Sequence, residues 1–391
     1  MTPAARYAAA IDVLDEILNG GAPEPVLANW GRRNRYAGSK DRAALRDIVF
    51  DALRAKRSLS ALGGSETGRG LILGLVRRDD IEPGEVFGAG AYAPSALTEA
   101  ESAHLKTAVA FSDGESFDLP DWLIPSWRRA LGEAAQDVAT ISKARGPVTL
   151  RVNRAKADLD SAIAALSKEN IGVRPIPDVA TALLVERNPR RVLSSAAYRD
   201  GLVELQDAAS QAAMAALPLL RGDRVLDYCA GGGGKALAIW DRTRSAVFAH
   251  DADPRRMVDL PARAERAGAE VVCIDGAALA SNAPFDLVLC DAPCSGSGTW
   301  RRTPMAKWEL SEEKLNHLRG LQAEILAQAA PLVGTSGTLA YATCSILVEE
   351  NEDVVGSFLA DHPNWRVEEV LRLSPGNDRD GFFLAQFRRT D

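Results

Sequence analysis

The chain has 391 residues, of which 46% are hydrophobic and 25% are charged, a composition that is typical of globular proteins and excludes a disordered chain. At about 100–200 residues per domain, this length predicts two or three domains. Lys and Arg number 46 and Asp and Glu number 53, so the net charge is −7. That charge excludes a protein that is basic over its whole surface, but it allows a locally basic face.

Neither export nor membrane insertion is expected. No apolar run reaches the roughly 18 residues of a membrane-spanning helix, and residues 1–15 lack the charged and then apolar pattern of a signal peptide. The five cysteines all lie in the second half of the chain and form no CxxC pair, which argues against a disulfide framework and a cysteine-based metal site. We therefore expect a cytoplasmic protein that binds no metal.

The first 140 residues are predicted to form a helical domain. Apolar residues recur at helical spacing from Ala4 to Leu18 and from Asp41 to Ser58. Residues 79–137 carry twelve acidic and three basic side chains, whereas residues 32–57 carry three acidic and nine basic ones. This segregation favours a basic face directed at a polyanion, and a solvated helix face is the alternative. The nine basic residues are Arg32, Arg33, Arg35, Lys40, Arg42, Arg46, Arg54, Lys56 and Arg57.

Beyond Pro147 the pattern changes to alternating strands and helices. Strands at 148–152 and 182–185 with a helix at 158–169 predict a small α/β module. From Leu217 onward, short apolar strands alternate with helices, which is typical of a doubly wound parallel sheet. Positive charge near the start of the module comes from Lys143, Arg145, Arg151, Arg154 and Lys156. The strands of the larger sheet are expected at 225–226, 246–249, 271–274, 285–290 and 338–342.

A glycine-rich segment joins the first of these strands to a helix that begins near Lys235. Its four consecutive glycines exceed what a tight turn requires, although a tight turn is the alternative. The spacing matches neither of the common dinucleotide or phosphate-loop fingerprints. We expect a ligand-binding loop, in which the ligand meets the free N–H groups of a helix N-terminus. The loop comprises Cys229, Ala230, Gly231, Gly232, Gly233, Gly234 and Lys235.

Two aspartates follow the next two predicted strands. Nucleotide-binding folds hold ribose hydroxyls with an acidic residue about 20 positions after the glycines, and Asp251 lies 17 positions after Gly234. Asp253 is the better N-cap for a helix that begins at Pro254, which leaves Asp251 for a ribose. Asp275 is a candidate acceptor for an adenine amine, or else a turn-forming residue.

Two cysteines are expected at the ligand-binding edge of the sheet. Cys294 follows Asp291 in the segment DAPCSGSGTWRR, and Cys344 lies in YATCS; both segments follow predicted strands. Cys273 and Cys290 lie inside apolar strands and are expected to be inert core thiols. Because no histidine lies beside Cys294 or Cys344, nucleophilic catalysis accounts for them better than metal binding does.

Several motifs together resemble those of the RNA 5-methylcytosine methyltransferases. They are DYCAGGGGK at 227–235, DAPCSGSG at 291–298, and ATCS at 342–345 with a Glu-Asn pair downstream. The segments LQDAAS at 205–210 and DGFFLA at 380–385 resemble the opening motif and closing strand of this family. Within the family, the chain is most similar to the bacterial small-subunit ribosomal RNA methyltransferase B type, whose NusB-like helical extension residues 1–140 resemble in pattern. It departs from the family at Gly231-Gly232, usually Ala-Pro, and at Met305, usually an acidic residue.

The resemblance implies a fold of three parts. It implies a NusB-like helical RNA-binding domain at 1–140, a small α/β RNA-binding linker module at 141–205, and a Rossmann-like methyltransferase domain at 206–391. It implies an S-adenosylmethionine-dependent enzyme, acting as a monomer, that methylates carbon 5 of a cytosine in RNA, with 16S ribosomal RNA as the expected substrate.

The resemblance also assigns roles to residues. Cys344 attacks the base, Cys294 assists release of the product, and Asp291 holds the N3 and amino edge of the cytosine. The residues alone leave open which cysteine attacks, because DNA cytosine methyltransferases use the Pro-Cys position, here Cys294. The residues assigned to S-adenosylmethionine are Cys229, Ala230, Gly231, Gly232, Gly233, Gly234, Lys235, Asp251, Asp275 and Asp291.

Basic and aromatic residues after Cys294 are candidate RNA contacts. Arg301, Arg302 and Lys307 are expected to bind phosphates or to favour a thiolate, and Trp300 and Trp308 to stack on bases, or else to be ordinary packing aromatics. The same chemistry on tRNA is one alternative function. A noncatalytic RNA-binding assembly factor is another, although it would leave Cys344 without a role. A dehydrogenase fits less well, because its glycine fingerprint is absent.

Overall fold

The computed structural model describes residues 1–390 and divides the chain into two units. The helical unit comprises Met1–Arg145 and Trp300–Glu309, and the α/β unit comprises Gly146–Thr299 and Leu310–Asp391. The division into three domains at residues 140 and 205 stays a prediction. Among the helices of residues 1–390, none is long and apolar enough to cross a membrane.

The helical unit is built from amphipathic helices around a common apolar core. The predicted first helix is confirmed: Thr2 caps it by accepting a hydrogen bond from the N–H of Ala5 at 3.2 Å. The second predicted helix ends at Arg54 instead of Ser58, because the backbone at Ala55 is not helical and a separate helix begins at Lys56. Up to residue 145 the helices are α1 (Pro3–Leu18), α2 (Pro23–Arg33), α3 (Ser39–Arg54), α4 (Lys56–Gly63), α5 (Gly68–Arg78), α6 (Glu99–Leu105), α7 (Asp113–Phe117), α8 (Ile124–Leu131) and α9 (Ala135–Lys143).

The α/β unit begins with a small antiparallel sheet of order β2-β3-β1-β4. The predicted strands at 148–152 and 182–185 and the predicted helix are confirmed. Two short strands were not predicted, because their three or four residues give no clear alternation of apolar and polar side chains. The strands are β1 (Val148–Val152), β2 (Gly172–Pro175), β3 (Ala182–Arg187) and β4 (Val203–Leu205), and α10 (Leu159–Lys168) packs against them.

The larger sheet has seven strands in the order β10-β11-β9-β8-β5-β6-β7. The five predicted strands are confirmed and pair in parallel, and two further antiparallel strands extend the sheet beyond β9. The added strands make the sheet mixed instead of wholly parallel. The strands are β5 (Val225–Asp227), β6 (Val247–Ala249), β7 (Val271–Cys273), β8 (Phe285–Asp291), β9 (Val333–Thr343), β10 (Trp365–Leu373) and β11 (Phe382–Arg389).

Helices cover both faces of this sheet, and the carboxyl ends of its parallel strands form the edge that is left for a site. Strand order reverses between β5 and β8, and in open α/β sheets ligands bind outside the carboxyl ends of the strands at such a reversal. The loops that follow β5, β8 and β9 carry the sequence motifs to this edge. The later helices are α11 (Ala196–Arg199), α12 (Ala208–Ala216), α13 (Gly234–Thr243), α14 (Leu260–Ala267), α15 (Leu279–Asn282), α16 (Pro304–Glu309, in the helical unit), α17 (Glu312–Ala329) and α18 (Glu352–Asp361).

Candidate active site

The glycine loop between β5 and α13 is held in one conformation by hydrogen bonds. The N–H of Ala230 donates to the carbonyl of His250 at 2.8 Å, and Arg263 donates to the carbonyl of Gly232. Gly233 has a φ of +77°, and a Cβ there would lie 2.0 Å from Leu260, so both the backbone and the space require glycine. Helix α13 begins at Gly234, as the sequence predicts.

Asp251 fixes this loop from the next strand. Its buried carboxylate accepts hydrogen bonds from the N–H groups of Gly231 and Asp253, each at 3.0 Å, and pairs with Arg256 at 3.0 Å. Asp253 caps the following helical turn by accepting from the N–H of Arg255 at 3.1 Å, as predicted. Asp251 therefore lies at the predicted place beside the glycines, and its contact with a ribose stays a prediction.

Asp275 lies exposed after β7 and caps a short helical turn. Its carboxylate accepts a hydrogen bond from the N–H of Ala278 at 2.9 Å. The sequence left two alternatives for Asp275, a contact with adenine or a turn-forming role, and the structure shows the turn-forming role. The adenine contact stays a prediction.

A buried carboxylate that the sequence analysis did not single out lies at the end of β5. Asp227 is 1% exposed, and neither of its carboxylate oxygens has a hydrogen-bond partner within residues 1–390. Burial and the neighbouring Asp291 raise the pKa of Asp227 to about 7, although Lys235 and the backbone N–H of Ala236 partly offset them. An unpaired buried carboxylate is costly, so a cationic ligand group is the natural partner for it. Its position as the first residue of the DYCAGGGGK motif was the available signal.

Asp291 and Lys235 form an ion pair that joins the loops after β8 and β5. Lys235 Nζ lies 2.6 Å from Asp291 Oδ2. The ion pair raises the pKa of Lys235 despite burial. The pair therefore keeps a carboxylate and an ammonium group at the sheet edge, where both are partly exposed.

The two predicted cysteines meet at this edge. Cys294 Sγ lies 3.4 Å from Cys344 Sγ, although 50 residues separate them along the chain. The contact follows from the sheet, in which β8 and β9 are parallel neighbours and Asp291 is paired with Ala342. Both thiols are half-buried, so they face the same small volume beside Asp291.

The surroundings of the two thiols differ and make Cys344 the more acidic one. The hydrogen bond shared with Cys294 lowers the pKa of Cys344, as do Lys235 and the hydroxyl of Thr299, and together they outweigh burial and the charge of Asp291. The same bond, burial and the negative charge of Glu350 raise the pKa of Cys294 well above its usual value. The arrangement favours a thiolate at Cys344 and a thiol at Cys294, because only the thiolate is strongly nucleophilic.

Glu350 holds the two cysteine loops together, a role that the sequence analysis missed. Its fully buried carboxylate accepts from the N–H of Ser295 at 2.7 Å, from the hydroxyl of Ser345 at 2.5 Å, from Gln322 Nε2 at 3.1 Å and from the hydroxyl of Ser295. Ser295 follows Cys294 and Ser345 follows Cys344, so one carboxylate sets the positions of both thiols. The signal was the Glu-Asn pair downstream of ATCS, to which no role was assigned.

Further contacts support the same loops. Asn351 Oδ1 accepts from the hydroxyl of Thr343 at 2.6 Å, and the N–H of Gly298 donates to the carbonyl of Cys344 at 2.9 Å. A Cβ at Gly298 would lie 2.7 Å from that carbonyl oxygen and from Gly381, so only glycine allows the two loops to approach. These contacts limit how far the thiols can separate.

Most of the expected RNA contacts after Cys294 are wrong. Arg301 and Lys307 are 2% and 4% exposed, and the Nζ of Lys307 donates to the carbonyl of Arg54 at 3.0 Å. Trp300 is 3% exposed and stacks on Trp127 with 6.2 Å between the ring centres. The segment Trp300–Glu309 packs inside the helical unit, so these side chains stabilise a core and are not available to phosphates.

Trp308 and two members of the basic cluster before the small sheet are also structural, whereas Arg145, Arg154 and Lys156 are exposed and their contact with RNA stays a prediction. Trp308 donates a hydrogen bond to the carbonyl of Leu53 at 2.7 Å, which supports the packing alternative. Lys143 pairs with Asp118 at 2.9 Å, and the buried Arg151 pairs with Asp241 at 3.4 Å.

Cys290 is buried as expected, but Cys273 is exposed, because β7 is an edge strand of the sheet. Within residues 1–390, no cluster of three or more His, Cys, Asp or Glu side chains is arranged to hold a metal ion.

Two family models match parts of the chain. Residues 214–388 match the model described as 16S rRNA methyltransferase RsmB/F, and residues 119–192 match that described as the RsmF/B-like ferredoxin-like domain. The chain is 33% identical over 281 residues to ribosomal RNA small subunit methyltransferase B of Salmonella agona (strain SL483) and of Salmonella heidelberg (strain SL476). Each alignment covers 68% of this chain and 65% of the length of the relative.

Solved structures share the fold. A methyltransferase homolog protein from Pyrococcus horikoshii has a TM-score of 0.61 at 25% identity and covers 70% of this chain and 96% of its own. PH0851 has a TM-score of 0.76 at 24% identity and covers 100% of this chain and 99% of its own. Together with the family models and the curated relatives, these similarities confirm the Rossmann-like fold that the sequence predicts. The chain is thus similar to RsmB/F-type methyltransferases over residues 119–192 and 214–388, and it spans 65% of the length of the curated relatives that it matches.

Proposed function

We propose that this protein transfers a methyl group from S-adenosylmethionine to carbon 5 of a cytosine in RNA. The observation that carries the proposal is the pair of thiols, Cys294 and Cys344, 3.4 Å apart beside Asp291. A noncatalytic RNA-binding factor has no use for a thiolate and a thiol at the ligand edge of its sheet. We assign 16S ribosomal RNA as the substrate in preference to tRNA, because the matching family model and the similar curated proteins are named for small-subunit ribosomal RNA.

The residues at the sheet edge fit S-adenosylmethionine. The unpaired buried carboxylate of Asp227 suits the ammonium group of its methionine part, and the N-terminus of α13, which begins at Gly234, presents backbone N–H groups to a ligand. Asp251 and Asp275 are the residues proposed for the ribose and the adenine. When bound, S-adenosylmethionine supplies a methyl group on a positively charged sulfur.

Cys344 supplies the nucleophile in this proposal. Carbon 5 of cytosine is a poor nucleophile, and addition of a thiolate to carbon 6 makes it electron-rich. The S–C6 bond forms with the electron pair of Cys344, and the electrons of the C5–C6 double bond become available at carbon 5. The lowered pKa of Cys344 favours the thiolate that this step needs.

Cys294 is proposed to assist the second half of the reaction. After carbon 5 has gained the methyl group, water takes its proton, the C5–H electron pair re-forms the C5–C6 double bond, and the S–C6 bond breaks with its electron pair returning to Cys344 as a thiolate. Cys294 keeps its own proton because its pKa is raised, and its Sγ lies 3.4 Å from the departing sulfur of Cys344. It can therefore hydrogen-bond the thiolate as it leaves.

Asp291 is proposed to orient the base. Its carboxylate accepts a hydrogen bond from the exocyclic amino group of cytosine, a contact that uracil cannot offer. The ion pair with Lys235 at 2.6 Å fixes the carboxylate in place. The target base must leave its stack to reach this edge, which costs a few kcal/mol in a duplex and less in a loop.

Loss of the C5 proton is the test of the proposed chemistry. We expect the purified protein, given S-adenosylmethionine and 16S ribosomal RNA with tritium at carbon 5 of cytosine, to release one tritium to water for each methyl group transferred. Methyl transfer without tritium release would place the methyl group on another atom. Release from tRNA alone would overturn the assignment of the substrate.

We also propose that the protein acts as a monomer in the cytoplasm. One copy of the chain supplies both thiols, the glycine loop and Asp291, so the site needs no residue from a second copy. Sedimentation of the purified protein and fractionation of cells test these two points.

A further inference from the structure

A groove of about 780 Å³ lies in the helical unit, remote in sequence from the methyltransferase motifs. Apolar side chains of α1 and the ring of Trp30 from α2 contribute to its lining. Asp12 and Glu16 of α1, Arg33 at the end of α2, and Tyr36 and Tyr92 also line it. Nothing in the family comparisons or in the proposed reaction uses these residues.

The two tyrosines are exposed to an unusual degree. Tyr92 is 87% exposed and Tyr36 is 73% exposed, although aromatic rings are normally at least partly covered. Tyr92 also has a φ of +67°, in the left-handed region that a bulky side chain rarely adopts. Strain of this kind is concentrated at binding sites, where the conformation is retained for the sake of a ligand.

The charges of the groove are exposed as well. Within residues 1–390 the side chain of Arg33 forms no hydrogen bond or ion pair, and the same holds for its neighbours Arg32, Arg35 and Lys40. Other basic residues of the same stretch are paired, such as Arg57 with Asp121 at 2.6 Å. The two carboxylates of the groove, those of Asp12 and Glu16, are also exposed.

We infer that this groove binds an unpaired nucleotide of RNA whose base carries an amino group. A nucleotide combines three groups that the lining of the groove can bind: a flat ring for the tyrosines, an anion for Arg33, and N–H donors for the carboxylates. A protein helix that buried its apolar face here would leave the charged groups of Asp12, Glu16 and Arg33 without partners, which is costly. The inference rests on the proposed function, since it takes RNA as the partner, and it assigns a second contact far from the target cytosine in sequence.

Binding of short single strands to the full-length protein tests the inference. Fluorescein-labelled oligo(A) and oligo(U) are suitable probes, because neither contains cytosine and so neither presents the target base. We expect oligo(A), with its amino groups, to bind at least fivefold more tightly than oligo(U). Replacement of Asp12 by Asn together with Glu16 by Gln should remove most of this preference.

Tyr92→Ala should weaken binding of oligo(A) by about 5- to 150-fold, the range for loss of one base–aromatic stack. Phe111→Ala is the matched control, because Phe111 is a 45% exposed aromatic of the same unit outside the groove, and it should leave binding unchanged. Equal effects of the two variants, or equal binding of oligo(A) and oligo(U), would overturn the inference.

Two further measurements separate this inference from the proposed function. Tyr92→Ala should raise the concentration of ribosomal RNA needed for half-maximal tritium release, whereas Phe111→Ala, outside the groove, should leave tritium release unchanged. That result, together with loss of oligo(A) binding in Tyr92→Ala alone, supports the groove and the chemistry together. Oligo(A) binding without any tritium release would support the groove and refute the chemistry. If Tyr92→Ala changed self-association in sedimentation and left oligo(A) binding intact, the occupant would be a second copy and the inference would be wrong.

Discussion

The edge of the seven-stranded sheet and the groove of the helical unit use charged side chains in opposite ways. At the sheet edge, Glu350 is fully buried and accepts four hydrogen bonds. In the groove, Arg33 is exposed and has no partner within residues 1–390. The difference shows that chemistry needs positions fixed by buried partners, whereas contact with a flexible polyanion needs charges that are free to move.

Loss of the buried carboxylate should have the largest effect. Glu350→Gln puts an NH2 group opposite N–H and O–H donors, so at least one of these donors loses its acceptor. We expect the free energy of unfolding to fall by about 1–3 kcal/mol and turnover to fall at least about 100-fold, because a small displacement of a reacting group has that cost. Urea unfolding and tritium release measure the two effects.

The matched control for Glu350 is an exposed carboxylate on the next helix. Glu352 is exposed and pairs with Arg372, and exposed ion pairs contribute little to stability. Glu352→Gln should leave both quantities nearly unchanged. If the two variants behaved alike, the buried network would not set the geometry of the thiols.

Asp227 is the exception at the sheet edge, because it is buried without a partner. Its raised pKa of about 7 means that it is largely protonated below pH 7 in the free protein. The ammonium group of S-adenosylmethionine would favour the ionised form, so the affinity should fall about tenfold for each pH unit below 7. Calorimetric titrations between pH 6 and pH 8 measure this slope.

Asp227→Asn provides the comparison for that slope. The variant has no carboxylate to ionise, so it should bind the cofactor more weakly at pH 8 and should lose the additional dependence on pH. Parallel pH profiles for the variant and the parent would show that Asp227 does not contact the cofactor.

The exposed arginines should give a smaller effect that depends on salt. Replacing Arg32, Arg33 and Arg35 together by Gln should reduce the slope of log affinity for RNA against log salt, by up to about two units. Affinity for S-adenosylmethionine should not change. A matched triple variant of the paired residues Arg46, Lys56 and Arg57 should alter the slope less, and equal slopes for the two triple variants would favour a merely solvated face.

The motifs predicted the site well because each one ends a strand. Asp291, Cys294 and Cys344 were expected at the carboxyl edge of a parallel sheet, and the sheet places the two thiols within 3.4 Å. Glycines at 231–234 and Asp251 likewise lie together, as their positions after successive strands predict. Such placement depends only on strand order, which the alternation of strands and helices indicates.

The sequence did not predict whether a given charged side chain or thiol is buried or exposed. Arg301 and Lys307 look like surface residues by composition, but their segment packs inside the helical unit. Cys273 lies in an apolar strand, but that strand is at the edge of the sheet and leaves it exposed. Burial depends on contacts between distant segments, so local patterns do not determine it.

The proposed division of roles, in which Cys344 attacks and Cys294 assists release, can be tested with two variants. Each variant, Cys344→Ala and Cys294→Ala, is incubated with S-adenosylmethionine and 16S ribosomal RNA and then run on a denaturing gel. We predict a stable protein–RNA adduct for Cys294→Ala, since release is slowed, and neither adduct nor turnover for Cys344→Ala. An adduct that accumulates only in Cys344→Ala would show that the two roles are reversed.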